Sequence, residues 1–159
     1  MAGSPQYLKE LNKIEQTLEW FNDHKITENW DQLDEAWAEL EKKPTPIRLA
    51  ELAEEAFLLY TSLTGKTAGE VIDNAKALHI AKNAGYAGAD NPDPWANFRM
   101  CEVFGITAYD GVLVRLSDKY IRTQNLRKDP TNERVGESLL DTLADLGAYC
   151  LIGICIAEE

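Results

Sequence analysis

One run of twelve residues constrains this chain more than any other. From Leu146 to Ala157 the sequence reads Leu-Gly-Ala-Tyr-Cys-Leu-Ile-Gly-Ile-Cys-Ile-Ala, and the next charge is Glu158. Wound as a helix, the run is apolar around its whole circumference, so protein must cover every side of it. It is shorter than the ~20 residues that a membrane-crossing helix needs. Two arrangements satisfy it: a central position among helices of the same chain, or an interface with a second copy. Gly147 and Gly153 leave flat spots that let another helix approach closely. Trp30 and Trp37 add bulk to an already sufficient core. The expectation is therefore a homo-oligomer, most simply a homodimer, joined through its helices.

The rest of the chain reads as helices that can surround such a centre. Pro5 follows Ser4 as a cap and first-turn proline, and Leu8, Leu11, Ile14, Leu18 and Phe21 recur at helical spacing over residues 5–23. A second helix opens at Thr27 with Trp30, Leu33, Trp37 and Leu40 on one stripe, and Pro44-Thr45-Pro46 ends it. A third runs from Pro46 to Leu63 and stops at Gly65. Thr67 and Glu70 form a capping box for a fourth, to Asn83. Residues 84–94, rich in glycine and proline, make the longest break in the pattern, and long breaks in compact domains are often functional. A short helix over 95–104, one over 108–127 and a last over 137–157 complete the chain. No stretch alternates as a strand does. The class is all-α, a bundle of about six to seven helices, with residues 1–44 as an N-terminal helical hairpin added to a core of 45–159.

Charge narrows the partners. The 159 residues carry 16 basic and 27 acidic side chains, a net of −11, which argues against a nucleic acid polymer. Residues 115–134 run the other way, with Arg115, Lys119, Arg122, Arg127, Lys128 and Arg134 against three acids. A local excess of cations in an acidic protein suits a small anion. Cys101, Cys150 and Cys155 lack paired spacing and sit in apolar surroundings, so they read as reduced core residues of a cytoplasmic protein that meets no membrane. No P-loop, GxGxxG or GxSxG pattern occurs, and neither histidine has a partner at useful spacing.

Three constellations remain. Glu137, Asp141 and Asp145 lie at steps of four along one helix face. Their mutual repulsion calls for an offset, and Mg²⁺ would supply one, since hard oxygen ligands suit it. Ser138 with Asp141 also makes a capping pair, which leaves Asp145 unexplained. Arg115, Asp118, Lys119 and Arg122 form a stripe on the preceding helix, where Asp118 would add a metal ligand and the cations would hold phosphate oxygens. Lys82, Asn83, Tyr86, Trp95, Asn97, Phe98 and Arg99 flank the long break and offer the aromatic faces and amides that a nucleobase needs.

In this order the motifs resemble a family common in phage genomes, the nucleotide-modification-associated domain. The string Lys82-Asn83-Ala84-Gly85-Tyr86, then Asn97-Phe98-Arg99, then Arg115 to Arg122, then Glu137-Ser138 to Asp145 carries the resemblance over about residues 75–157. That family is in turn similar to the all-α NTP pyrophosphohydrolases of the MazG and dimeric dUTPase kind. The resemblance implies an all-α pyrophosphatase-like core, Mg²⁺ held by acids in ExxE and ExxD patterns, and assembly as dimers or tetramers. Here Asp141 and Asp145 approximate the second pattern, and Arg115-x-x-Asp118 offers one acid of the first. Glu51, Glu54 and Glu55 form a rival first pattern.

Two readings follow. In one, Mg²⁺ held by Asp118, Glu137, Asp141 and Asp145 supports hydrolysis of a nucleoside triphosphate, with Asp118, Asp141 and Asp145 as catalytic acids. Lys82, Asn83, Tyr86, Asn97, Phe98, Arg115, Lys119 and Arg122 bind the nucleotide. In the other, the same residues bind or sequester a nucleotide or a nucleotide-derived signal without chemistry. A helical interaction module with structural polar stripes is the third reading.

Overall fold

The structure, a computed structural model, describes residues 3–24, 27–129, 131 and 138–159. Among these there are six α-helices: α1 (Pro5–Asp23), α2 (Trp30–Lys42), α3 (Pro46–Thr64), α4 (Ala68–Asn83), α5 (Ala108–Lys128) and α6 (Leu139–Ala157). A π turn (Ala84–Gly88) extends α4, and a 3-10 helix (Ala96–Phe104) precedes α5. The all-α class read from the sequence is the class observed, with no strand among the described residues.

Local chemistry sets the boundaries. Ser4, Thr45, Thr67, Thr107 and Ser138 each accept a backbone N–H from the first turn of the following helix. These bonds satisfy donors that a helix start leaves unpaired. Gly65 ends α3 with φ 68°, a left-handed conformation that suits glycine. The second helix starts later than expected, because Asn29 rather than Thr27 caps it by accepting from the Gln32 N–H at 3.1 Å. The glycine-rich stretch also departs from the loop expected of it. Its first five residues continue the α4 backbone with a wider winding, and residues 89–95 turn away before the 3-10 helix.

Helix α6 is the centre of the molecule. Helix α3 packs along one side of it and α5 along another, while α1 touches it and also crosses α4. Phe57 of α3 meets Gly147, and Leu49 of α3 meets Gly153, so the two helices run antiparallel. A Cβ on Gly147 would stand 2.6 Å from Phe57 Cε2, and one on Gly153 would stand 2.9 Å from Leu49 Cδ1. The flat spots that pointed to a second subunit are therefore filled by the chain's own α3. Every residue from Cys150 to Ile156 is buried. By length and composition α6 could cross a membrane, but here its own chain covers it. That packing buries 61% of the apolar window of α6 within the chain itself, so its burial alone does not call for a second copy. All three cysteines are unpaired, and Cys150 and Cys155 lie in the core as expected.

Helices α1 and α2 share this core, but they do not pack on each other as the expected hairpin would: α1 lies against α4, α3 and α6, and α2 against α3. Tyr7, Leu11, Ile14 and Leu18 from α1 and Leu33, Ala36 and Leu40 from α2 join the same continuous cluster as α6. A polar staple fixes α2 to α5. Asp34 accepts from Tyr120 Oη at 2.8 Å, Gln124 Nε2 at 2.8 Å and Arg127 Nη1 at 2.9 Å. Trp37 stacks on Tyr120 with centroids 4.2 Å apart, and Arg127 lies 4.7 Å over Trp30. The two tryptophans thus anchor α2 against α5, and Arg127 of the basic segment is spent on structure.

Candidate functional site

Helices α1, α3, α4 and α5 and the 3-10 helix leave a cavity of about 290 Å³ beside α6. That is the small end of the roughly 300–1,000 Å³ typical of small-molecule sites. Helix α4 brings His79, Lys82 and Asn83 to it, because these fall on one face of its last turns. Helix α5 brings Arg115 and Lys119, one turn apart, and α6 brings Asp145 and Tyr149 by the same spacing. Asn97 and Phe98 come from the 3-10 helix, Trp95 from the residue before it, and Tyr86 from the π turn. Nine of the residues singled out in the sequence, Lys82, Asn83, Tyr86, Trp95, Asn97, Phe98, Arg115, Lys119 and Asp145, therefore line one cavity.

Charge gathers at one end. Asp145 lies between two lysines, with Lys82 Nζ 2.8 Å from Oδ1 and Lys119 Nζ 3.0 Å from Oδ2. Burial alone would raise the Asp145 carboxyl. Hydrogen bonds and charge from Lys82 and Lys119 outweigh it and hold the carboxyl below its ordinary range. Arg115 lies with Cζ 4.7 Å over the Phe98 ring, a cation–π contact that places a guanidinium at the cavity rim. One acid thus faces three cations, and an anion entering this end meets a net positive surface.

The other end is aromatic. His79 stacks on Tyr7 with centroids 4.0 Å apart, and Trp95 and Phe98 meet edge to face at 6.2 Å. Burial pushes the Tyr7 phenol up, so it stays a neutral donor. Asn83 donates through Nδ2 to the Pro94 carbonyl at 2.7 Å. That bond ties α4 to the loop and fixes the amide so that Oδ1 remains the acceptor. This end offers a flat heteroaromatic ring an apolar aromatic wall and an amide acceptor for its N–H edge.

Tyr7, His79 and Tyr149 were not read from the sequence as site residues. Tyr7 belongs to the hairpin that looked like an addition, and only the tertiary packing of α1 on α4 brings it here. His79 was set aside for want of a sequence-near partner; its partner is Ser4, whose N–H donates to Nε2 at 3.1 Å. Burial lowers His79 to about 4, so it is neutral in the folded protein at neutral pH. The unfolded chain protonates it near 6.5, and the folded chain resists until about 4. Between those values the unfolded state binds more protons, so stability falls as pH falls. We expect His79→Gln, which keeps an acceptor for Ser4, to lose less stability than the wild type between pH 6.5 and 4.5. Urea midpoints at the two pH values check this, and equal losses would refute it.

The acids proposed for a metal do not gather. Asp118 and Arg122 are not among the residues lining the cavity. Asp118 is exposed on α5. Asp141 closes the capping box of α6: Ser138 N–H donates to its Oδ2 at 3.2 Å, and its own N–H donates to Ser138 Oγ at 3.0 Å. It lines an adjoining groove of about 320 Å³ that shares Lys82 and Asp145 with the cavity. Glu137 lies outside the described residues. Of the rival acids, Glu51 pairs with Arg48 at 3.0 Å. Glu54 and Glu55 are half-buried, raised first by burial and then by neighbouring acids, and neither lines the cavity. No group of three His, Cys, Asp or Glu side chains among the described residues is placed to hold a metal ion. Both Asp145 oxygens are taken by ammonium groups, a poor start for the near-octahedral oxygen shell of Mg²⁺. Among the described residues, Asp118, Asp141 and Asp145 present no shared oxygen shell for that cation.

The cap makes its own prediction. Asp141→Ala removes an acceptor and a favourable charge from the first turn of α6, at about 0.3–1 kcal/mol. We expect that loss in a urea melt with ligand affinity unchanged, and an affinity loss would return Asp141 to the site.

Compared with protein-family models, curated proteins and solved structures, the chain matches none of them.

Proposed function

We propose that the cavity binds a small phosphorylated ligand of the nucleotide class. The observation that carries this reading is the convergence of Lys82, Lys119 and Arg115 at one end of a cavity whose other end is aromatic and amide-lined. Phosphate oxygens accept charge-assisted hydrogen bonds from the cations, and the base stacks near Trp95 and Phe98 with an N–H edge on Asn83. The resemblance of the motifs to phage nucleotide-modification-associated domains points to the same ligand class.

Binding is the better-supported form of the idea, and hydrolysis the weaker. The pyrophosphohydrolase reading needs acids around a Mg²⁺, and the one acid of the cavity is occupied by two lysines. The test is incubation of the protein with nucleoside mono- and triphosphates, with and without Mg²⁺, followed by chromatography. The proposal expects ligand to be recovered intact after the protein is denatured. Steady release of monophosphate and pyrophosphate would establish hydrolysis instead, and retention of no nucleotide would remove the reading.

A further inference from the structure

We infer that Asp145 is an internal counter-anion, held between Lys82 and Lys119 and replaced there by the phosphoryl group of the ligand. This deepens the nucleotide reading and rests on it.

The geometry supplies the reasons. Each Asp145 oxygen meets one ammonium, at 2.8 and 3.0 Å, which is how a phosphoryl group would bridge the same two lysines. The Asp145 side chain is only 14% exposed, so the carboxylate is retained where desolvation penalises it. The lysines come from α4 and α5 on long flexible stems, and Lys82 is 47% exposed, so the cluster can open without moving a helix. Lys82 and Asp145 also line the adjoining groove, which gives a displaced carboxylate somewhere to turn.

The consequence is selection by charge. A phosphoryl dianion brings more charge and more acceptor oxygens than the carboxylate it displaces. A nucleoside brings none, and leaves the Asp145 pairs intact. Asp145 therefore lowers affinity for every anion that must displace it and rejects anions too weakly charged to compensate, while nucleosides are unaffected. A role for Asp145 as a metal ligand makes the opposite prediction, since its loss would then weaken binding.

The experiment is thermal melting and calorimetric titration of the wild type, Asp145→Asn and Asp145→Ser. The probes are inorganic phosphate, the common nucleosides and their 5′-monophosphates. We expect both variants to bind inorganic phosphate and monophosphates about tenfold more tightly than the wild type, with nucleosides unchanged. Unchanged or weaker phosphate binding in the variants would overturn the inference alone. If inorganic phosphate protects and no nucleotide does better, the anion site stands and the nucleotide reading falls. If neither variant folds, the carboxylate is structural and the inference falls.

Discussion

Lys119→Ala is expected to weaken binding of a nucleoside monophosphate by about 10- to 150-fold, while leaving the corresponding nucleoside almost unaffected. A hydrogen bond to a charged group is worth about 1.5–3 kcal/mol, and 1.4 kcal/mol is a factor of ten in affinity. Lys119 is the more enclosed of the two lysines, its side chain 21% exposed against 47% for Lys82, so solvent compensates least for its loss. Lys82→Ala should act in the same direction with a smaller effect. Arg122→Ala provides the contrast, because Arg122 does not line the cavity. Isothermal titration with nucleoside and monophosphate separates these outcomes. A loss shared equally by the nucleoside would move Lys119 out of the phosphate end, and an Arg122 effect as large as that of Lys119 would move the site along α5.

Gly147→Ala is expected to destabilise the fold by about 1–3 kcal/mol, the usual cost of overpacking. Alanine normally improves a helix relative to glycine by about 0.5–1 kcal/mol, so the predicted sign runs against intrinsic preference. The cause is Phe57, three of whose ring atoms would lie 2.6–3.1 Å from the new Cβ. Phe57 is itself buried, 2% exposed, and cannot swing into solvent. Because α3 and α6 run antiparallel along the core, any shift at this crossing is felt at Leu49 and Gly153 as well. Gly69 in α4 is the control, since only the Thr67 hydroxyl lies near, at 4.0 Å. Gly69→Ala should be neutral or mildly stabilising in the same urea titrations. Stabilisation by Gly147→Ala would mean that α3 does not pack there.

Much of the architecture was legible because local signals repeat. Caps at Ser4, Thr67 and Ser138, the stop at Gly65 and three- and four-residue apolar spacing place most helix ends within two residues. Thr27 misled because Asn29 competes for the same role with a better-placed side chain. The all-apolar stretch after Asp145 correctly demanded cover on every side, but periodicity cannot say whether that cover comes from the same chain. Gly147 and Gly153 look alike whether they face Phe57 and Leu49 or a second copy.

The site was legible where residues cluster in sequence and hidden where packing assembles it. Lys82, Asn83, Tyr86, Asn97 and Phe98 flank one break, and Arg115 and Lys119 share a helix face, so sequence reading could join them. Tyr7 and Tyr149 reach the cavity through contacts between helices far apart in the chain. Aligned acids were the misleading signal. Glu137, Asp141 and Asp145 share one helix face and Asp118 was placed opposite them, yet Asp118 is exposed, Asp141 serves a cap and Asp145 pairs with lysines. Spacing places carboxylates on a face, and only tertiary partners decide what they offset.

The most direct test is a crystal structure of the protein with a bound nucleoside 5′-monophosphate. The proposal predicts the phosphate within about 3.2 Å of both Lys82 Nζ and Lys119 Nζ, and the base stacked in the aromatic end near Trp95 and Phe98. A phosphate bound elsewhere, or an intact Asp145 bridge beneath a ligand seated in another groove, would contradict it.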